Sequence, residues 1–362
     1  MIDLARALRK DISRRSFIKY SATLAAMLGL SDAFVPKIAA AVEGMANGKQ
    51  PVIWLHGAEC TGCTVSFANS HHPGVAELVL DTLSLQYHET LMAASGHVAE
   101  KALEEAMTRF KGKYILVVEG AIPVKDDGIY CRIGGKTFKS MVEEAATNAA
   151  YVVAVGTCAS FGGIPAADPN PTQCKGVADV IGGTVVNIPG CPAHPDWIVG
   201  TIVSILLFNK VPELDKHGRP MPFFGKQIHE NCPRRGGYEQ GRFVKKFGEE
   251  LPDIEGCMGA KGCRGPITYA DCPHRLWNAG TNFCIAASAP CAGCVEPSFP
   301  KLPLYEPIEE VAKFIEESEA SQDEGSISTF AASLGGAVAG AAAGAGAVYF
   351  AGEKAREKEG VE

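Results

Sequence analysis

The sequence predicts an α/β fold: a doubly wound parallel sheet, then a loop-rich domain crowded with cysteine, then a C-terminal transmembrane helix. Three observations carry that reading. Between Pro51 and about Phe208, short β-branched runs alternate with helical stretches. From His229 to Cys294 the chain gathers seven of its thirteen cysteines among Gly, Pro, Arg and small polar residues. Residues 325–352 carry no charge and are mostly Ala and Gly.

Composition sets the outer bounds. A chain of 362 residues has room for about two domains with appendages. A net charge of −7 makes nucleic acid a poor partner, and a hydrophobic content of 46% is ordinary for a protein with a packed core. An odd number of cysteines does not fit a pure disulfide framework.

The predicted strands are Val52–His56, Leu78–Gln86, Tyr114–Glu119, Tyr151–Val155 and Val185–Ile188; the predicted helices are Val98–Phe110, Lys139–Asn148 and Trp197–Phe208. Strands that are apolar throughout, set between helices, imply a parallel sheet covered on both faces, here over residues 50–215. Cys60 and Cys63 follow the first of these strands, Cys158 the fourth and Cys191 the fifth. Open α/β sheets bind ligands outside the carboxyl ends of their strands, so these four thiols converge on one edge as a four-thiolate site.

Residues 216–305 follow a different logic. The order is His229-x-x-Cys232, Cys257-x5-Cys263, Cys272, Cys284 and Cys291-x-x-Cys294, with no long period-3.6 pattern between them. Seven thiols and one imidazole are eight ligands, twice the four that a cubane iron–sulfur cluster or a closed zinc site requires. So little regular apolar sequence implies that bound metal supplies much of the stability. With the earlier four, eleven cysteines and His229 make three sets of four. Cys131 and Cys174 are left over and read as core or surface thiols.

The ends add a location. Ser13-Arg14-Arg15-Ser16-Phe17-Ile18-Lys19, a weakly apolar run to Leu30, and Ala39-Ala40-Ala41 match a twin-arginine export signal over residues 1–41. An ordinary amphipathic helix bearing two arginines is the competing reading. Residues 306–324 form an acidic linker. Residues 325–352 suffice for a membrane crossing, which needs about 20 residues, and Gly336, Gly340 and Gly344 repeat the small-xxx-small spacing of packed transmembrane helices. The alternative is a disordered Ala/Gly tail. Lys354, Arg356 and Lys358 then place residues 353–362 in the cytoplasm by the positive-inside rule, with the body on the outer, periplasmic face.

These residues resemble the small subunit of nickel–iron hydrogenases from Arg14 to about Pro300. The likeness rests on Glu59-Cys60-Thr61-Gly62-Cys63, Gly156-Thr157-Cys158-Ala159, Pro189-Gly190-Cys191-Pro192, His229-Glu230-Asn231-Cys232-Pro233-Arg234, Cys257…Cys263 and Pro290-Cys291-Ala292-Gly293-Cys294. It implies a flavodoxin-like first domain and three iron–sulfur clusters. Cys60, Cys63, Cys158 and Cys191 would hold a proximal 4Fe–4S cluster facing the catalytic partner. His229, Cys232, Cys257 and Cys263 would hold a distal 4Fe–4S cluster, and Cys272, Cys291 and Cys294 a medial one. Most members have proline where this chain has Cys284, and keep a 3Fe–4S medial cluster; a thiol there predicts 4Fe–4S instead. Some oxygen-tolerant members add two cysteines, at the positions of Gly62 and Gly163 here, so this chain is expected to carry an ordinary proximal cubane.

The resemblance implies a function without catalytic residues of its own. The nickel–iron site lies on a separate large subunit, and this chain relays electrons from hydrogen oxidation to a membrane acceptor, such as a b-type cytochrome that reduces a quinone-like carrier. An iron–sulfur subunit of another membrane oxidoreductase, ferredoxin-like, is the runner-up. A zinc-stapled binding module fits less well, because ligands spread over separate strand ends are not compact zinc knuckles. Replacing Arg14 and Arg15 together by Lys should hold the precursor in the cytoplasm, since lysine does not mimic the delocalised guanidinium. Cell fractionation checks this, and normal export of the double variant would refute the signal.

Overall fold

The computed structural model describes residues 50–71, 74, 83–248, 256–318 and 320, with Ala22, Ala25, Ala26 and Val35 from the N-terminal region. The twin-arginine motif and the charge-free C-terminal run lie outside the described residues. Among the described residues no helix is long and apolar enough to cross a membrane.

Strands β1 (Gln50–His56), β2 (Leu83–His88), β3 (Ile115–Glu119), β4 (Tyr151–Val155) and β5 (Val185–Ile188) form one five-stranded sheet in the order β2-β1-β3-β4-β5. Every pairing is parallel. The order reverses between β1 and β3, which makes the carboxyl ends of those strands the natural ligand crevice. Four strands match the sequence reading to within two residues. The edge strand β2 is described from Leu83, which pairs with Gln50 of β1, and runs two residues past the predicted end at Gln86; residues 78–82 of the predicted strand lie outside the described residues.

Alternate side chains of each strand enter opposite cores, as the period of two requires. Val52, Trp54, Ile115, Val117, Val153, Val155, Val186 and Ile188 face one cluster; Ile53, Leu55, Leu116, Val118 and Ala154 face the other. The second cluster is closed by α2 (His97–Arg109) and α3 (Phe138–Thr147), whose Leu103, Met107, Met141 and Val142 are buried. Thr137 caps α3 by accepting a hydrogen bond from the Ser140 amide at 3.3 Å. Three short helices escaped the sequence reading: α1 (Gly62–Ala68), α4 (Gly156–Phe161) and α5 (Val177–Ile181). At two turns or fewer they are too short to show an apolar period.

Helix α6 (Pro195–Phe208) joins the two domains. Pro195 occupies its first turn, and the His194 side chain caps it by accepting from the Asp196 amide at 3.1 Å. Its apolar residues surround the axis, with Trp197, Ile198, Ile202, Val203 and Ile205 all buried, as expected of a helix covered on every side. On one side lies the sheet. On the other lie Phe223, Phe224, Ile228, Met258, Phe283, Ile285 and Val295 of the cysteine-rich domain, all in the same core cluster.

The cysteine-rich domain is therefore not held by metal alone. It has only short helices, such as Met221–Phe224, Arg235–Glu239 and Cys272–Arg275, but it shares the core of the sheet domain. Polar ties reinforce the seam: Trp197 Nε1 donates to Asp271 Oδ1 at 2.7 Å, and Arg275 bridges Asp271 and Asp196. Deeper in, Arg219 is 2% exposed and pairs with Asp215 at 2.7 Å and Glu296 at 2.9 Å. Glu296 also accepts from the Tyr269 amide at 2.7 Å. Replacing Arg219 by Met leaves a buried carboxylate, Glu296, and a half-buried one, Asp215, without their cation and should cost about 3 kcal/mol. A matching fall in the unfolding midpoint checks this; no fall would mean that both carboxylates are hydrated.

Candidate metal centres

The loops at the carboxyl ends of β1, β4 and β5 bring Cys60, Cys63, Cys158 and Cys191 together. Cys60 and Cys63 flank the start of α1, Cys158 sits in α4 directly after β4, and Cys191 follows β5. The approach is close enough to require glycine at one point: Gly156 has φ +86°, and a Cβ there would stand 2.5 Å from Cys63 Sγ. Burial pushes the Cys63 thiol well above the usual range, and negative charge on Glu119, Cys158 and Cys191 pushes the same way. Cys158 is raised to about 12, chiefly by burial and then by Cys191.

Behind this group is a brace that sequence reading missed. Glu119 ends β3 almost fully buried, and its carboxylate accepts hydrogen bonds from the Cys63 amide (3.0 Å), the Thr64 amide (3.1 Å), the Thr64 hydroxyl (2.6 Å) and Trp54 Nε1 (3.1 Å). One carboxylate thus locks β1, β3 and the Cys63 loop together. His56, Glu59 and Glu119 place ligand atoms within 4.8 Å of one another. Because four donors already saturate Glu119, this cluster works as a hydrogen-bonded brace. The available signal was an acid closing an otherwise apolar strand, Ile115-Leu-Val-Val-Glu119.

The second group is in the cysteine-rich domain. His229, Cys232, Cys257 and Cys263 line one small cavity, together with Tyr238, Met258, Ile285 and Val311. Short 3₁₀ turns over Ile228–Asn231 and Met258–Lys261 set the ligands' directions. The Cys257 thiol is raised to about 12 by burial, with the Gly259 amide, which donates to its sulfur at 3.3 Å, pulling down and the charges of Cys263 and Cys232 pushing up. Burial lowers the His229 pKa, and the charge of Arg235 adds to this, so the imidazole is held neutral and able to ligate.

The third group lies between the other two. Burial raises Cys272 strongly, and Cys294 and Cys284 act on it in the same sense. Burial likewise raises Cys291, with added repulsion from Cys263, Cys294 and Cys272. Cys294 is raised to about 11 by burial, with Cys284 and Cys191 as charged neighbours. Cys284 is thus within electrostatic reach of both Cys272 and Cys294, although its residue is exposed.

The three groups touch at two places. At the first, the main chain at Cys191 lies close enough to Cys294 of the third group to pull its pKa down, against the burial that raises it. The Cys291 amide of the third donates to Cys263 Sγ of the second, at 3.4 Å. The first junction is tightened by Thr157, whose hydroxyl donates to the Cys294 carbonyl and accepts from the Gly190 amide at 2.8 Å. All twelve residues singled out in the sequence therefore fall into a continuous line of three sets. Cys131 and Cys174 fall outside it, Cys174 buried against the Thr172 hydroxyl at 3.2 Å.

The donor chemistry fits polynuclear iron. Buried thiols that raise one another's pKa become stable thiolates only beside a cation, which deprotonates them outright. Backbone amides aimed at Cys63 (from Ala193, 3.5 Å), Cys257, Cys263 and Cys291 (from Gly293, 3.4 Å) match the hydrogen bonding to sulfur that tunes iron–sulfur clusters.

Known proteins divide the chain at the same seam. Residues 60–205 match the family of the NADH ubiquinone oxidoreductase 20 Kd subunit, and residues 224–305 match the C-terminal family of NiFe/NiFeSe hydrogenase small subunits. The uptake hydrogenase small subunit of Azotobacter vinelandii is 45% identical over 87% of this chain and 88% of its own length. The chain belongs to the nickel–iron hydrogenase small subunits. A periplasmic [NiFe] hydrogenase small subunit of Nitratidesulfovibrio vulgaris is 43% identical to this small subunit, over 83% of this chain and 95% of the relative. The solved Ni-Fe-Se hydrogenase from Desulfomicrobium baculatum, in a reduced, active form, superposes with TM-score 0.68 and 44% identity, over 72% of this small subunit and all of that chain.

Gly156→Ala tests the crowding at Cys63. The left-handed backbone costs an L-residue roughly 1–2 kcal/mol, and the new methyl displaces the sulfur. Iron per purified small subunit should fall while the far-ultraviolet circular dichroism stays native; full iron content would show that Cys63 has room to move.

Proposed function

We propose that this small subunit is the electron relay of a membrane-bound uptake hydrogenase, carrying electrons from a nickel–iron large subunit through three iron–sulfur clusters to a membrane acceptor. The pair of junctions from Cys191 to Cys294 and from Cys291 to Cys263 carries the reading. The first is held by the Thr157 hydroxyl between the Gly190 amide and the Cys294 carbonyl, the second by the Cys291 amide donating to Cys263 Sγ, and both keep neighbouring ligand sets close.

The first set, Cys60, Cys63, Cys158 and Cys191, would hold the proximal cluster, at a face where Cys60 and Cys191 are exposed to a partner. The third, Cys272, Cys284, Cys291 and Cys294, would hold the medial cluster. The second, His229, Cys232, Cys257 and Cys263, would hold the distal cluster, with His229 lowering the total negative charge and so easing its reduction. The clusters, when bound, supply the one-electron chemistry. The chain's own residues fix the order, exclude water and donate hydrogen bonds to sulfur.

The relatives, an uptake and a periplasmic hydrogenase small subunit, support a body outside the cytoplasmic membrane. With the Arg14-Arg15 motif and the charge-free run 325–352, this supports a single-pass anchor with a cytoplasmic C-terminus and an acceptor in the membrane, a b-type cytochrome or a similar quinone-reducing subunit. The match of residues 60–205 to a subunit of another oxidoreductase favours the runner-up for the first domain alone. Residues 224–305 favour the hydrogenase.

Cys284 offers the sharpest test. A thiolate there closes a fourth corner that proline leaves open, so the medial cluster should be 4Fe–4S. The oxidised protein should lack the 3Fe–4S electron-spin resonance signal, whereas Cys284→Pro should create it and raise the medial potential. A strong 3Fe–4S signal from intact wild-type complex would make Cys284 a bystander.

A further inference from the structure

One wall of the His229 cavity comes from beyond the matched C-terminal family region, which ends at residue 305. Val311 lines that cavity and is 2% exposed. We infer that residues 303–314 form a strap that closes the cavity and, through the ring of Tyr238, holds the His229 imidazole in its orientation. The inference rests on the proposed ligand role of His229 and adds a positioning residue, Phe314, and a wall residue, Val311, that the twelve ligands do not include.

The strap is seated at four points, three of them in or beside the loop between Cys257 and Cys263. The buried Arg264 donates through Nη2 to the Pro303 carbonyl. At Gly262 (φ +80°) the strap's main chain crosses so closely that a Cβ would stand 2.6 Å from Tyr305 Cα and from the Glu306 amide nitrogen. At Gly259 a Cβ would stand 2.9 Å from Val311 Cγ1. The helix 309–318 then brings Phe314 onto Tyr238, the rings stacked at 4.6 Å and 27°. Tyr238 in turn meets His229 edge-on, at 4.7 Å and 81°, and Phe243 closes the group at 6.0 Å from Tyr238 and 6.1 Å from Phe314.

The need for such a device follows from the ligand. An imidazole binds metal in one plane and along one direction, so its ring must be held by what surrounds it. No hydrogen bond from His229 Nδ1 or Nε2 to a protein group is seen among the described residues; its neighbour is the Tyr238 ring, and Phe314 backs that ring from the other side. A strap that also covers the cavity keeps its interior dry, and solvent exposure is one of the levers on a cluster's potential.

The test uses the intact two-subunit complex with Phe314→Ala, Phe314→Tyr and Val311→Ala. Three readings are taken: the potential of the histidine-bearing cluster by titration under electron-spin resonance, its imidazole-nitrogen coupling by pulsed resonance, and the rate of iron loss to a chelator. Phe314→Ala should raise the potential, because water stabilises the more highly charged reduced cluster. It should also change the nitrogen coupling and speed iron loss severalfold, and Phe314→Tyr, which keeps the ring, should restore all three. Val311→Ala should raise the potential and speed iron loss with the nitrogen coupling unchanged, and it decides the matter if Phe314→Ala does not assemble. Unchanged potential and coupling in the assembled variants would overturn the strap. Absence of nitrogen coupling in the wild type would instead overturn the ligand role of His229, and the inference with it.

Discussion

Sulfur atoms crowded into a dry interior repel one another as soon as they lose their protons, and the rest of this structure answers to that constraint. Burial raises the pKa of nearly every thiol in the three groups, and neighbouring thiolates raise most of them further. A bound cation would meet part of the demand, and the backbone meets another part. Amides of Ala193, Gly259, Cys291 and Gly293 point at sulfur, which requires loops that turn their N–H groups inward rather than into a ladder. This explains why so much of the cysteine-rich domain is irregular. Regular structure would have spent those donors on carbonyls.

The same constraint explains the division of labour in the first domain. A parallel sheet delivers chain ends to one edge without help from the ligands, so thiols far apart in sequence meet there. Precision at that edge comes from Glu119, which ties β1, β3 and the Cys63 loop through four hydrogen bonds. A buried carboxylate with every lone pair engaged has no freedom to shift, and the Cys63 amide it holds has none either.

What could be read in the sequence, and what could not, divides by the range of the interaction. The strands and long helices were legible because apolar runs of Val, Ile and Leu declare their own period. The grouping of the thiols was legible because cysteine between turn residues has little other use than as a ligand. The strap was not: Val311 and Phe314 look like any apolar pair in an acidic helix, and nothing local links them to His229. Nor was the shared core, since Phe223, Ile228, Met258 and Val295 lie in short stretches with no apolar period and gain meaning only against α6. Hence the expectation that metal supplies much of the second domain's stability needed the addition of a borrowed apolar interface.

The core cluster that spans both domains contains cysteines as well as hydrocarbon. Cys63, Cys263, Cys272 and Cys291 are packed among Trp197, Phe224, Ile228 and Val295, each at most 9% exposed. A metal centre held at such positions would share its walls with the apolar core, so binding it and packing the two domains together would be thermodynamically coupled. By the same linkage, emptying a centre would loosen the seam between the two domains as well as the loops that carry its thiols.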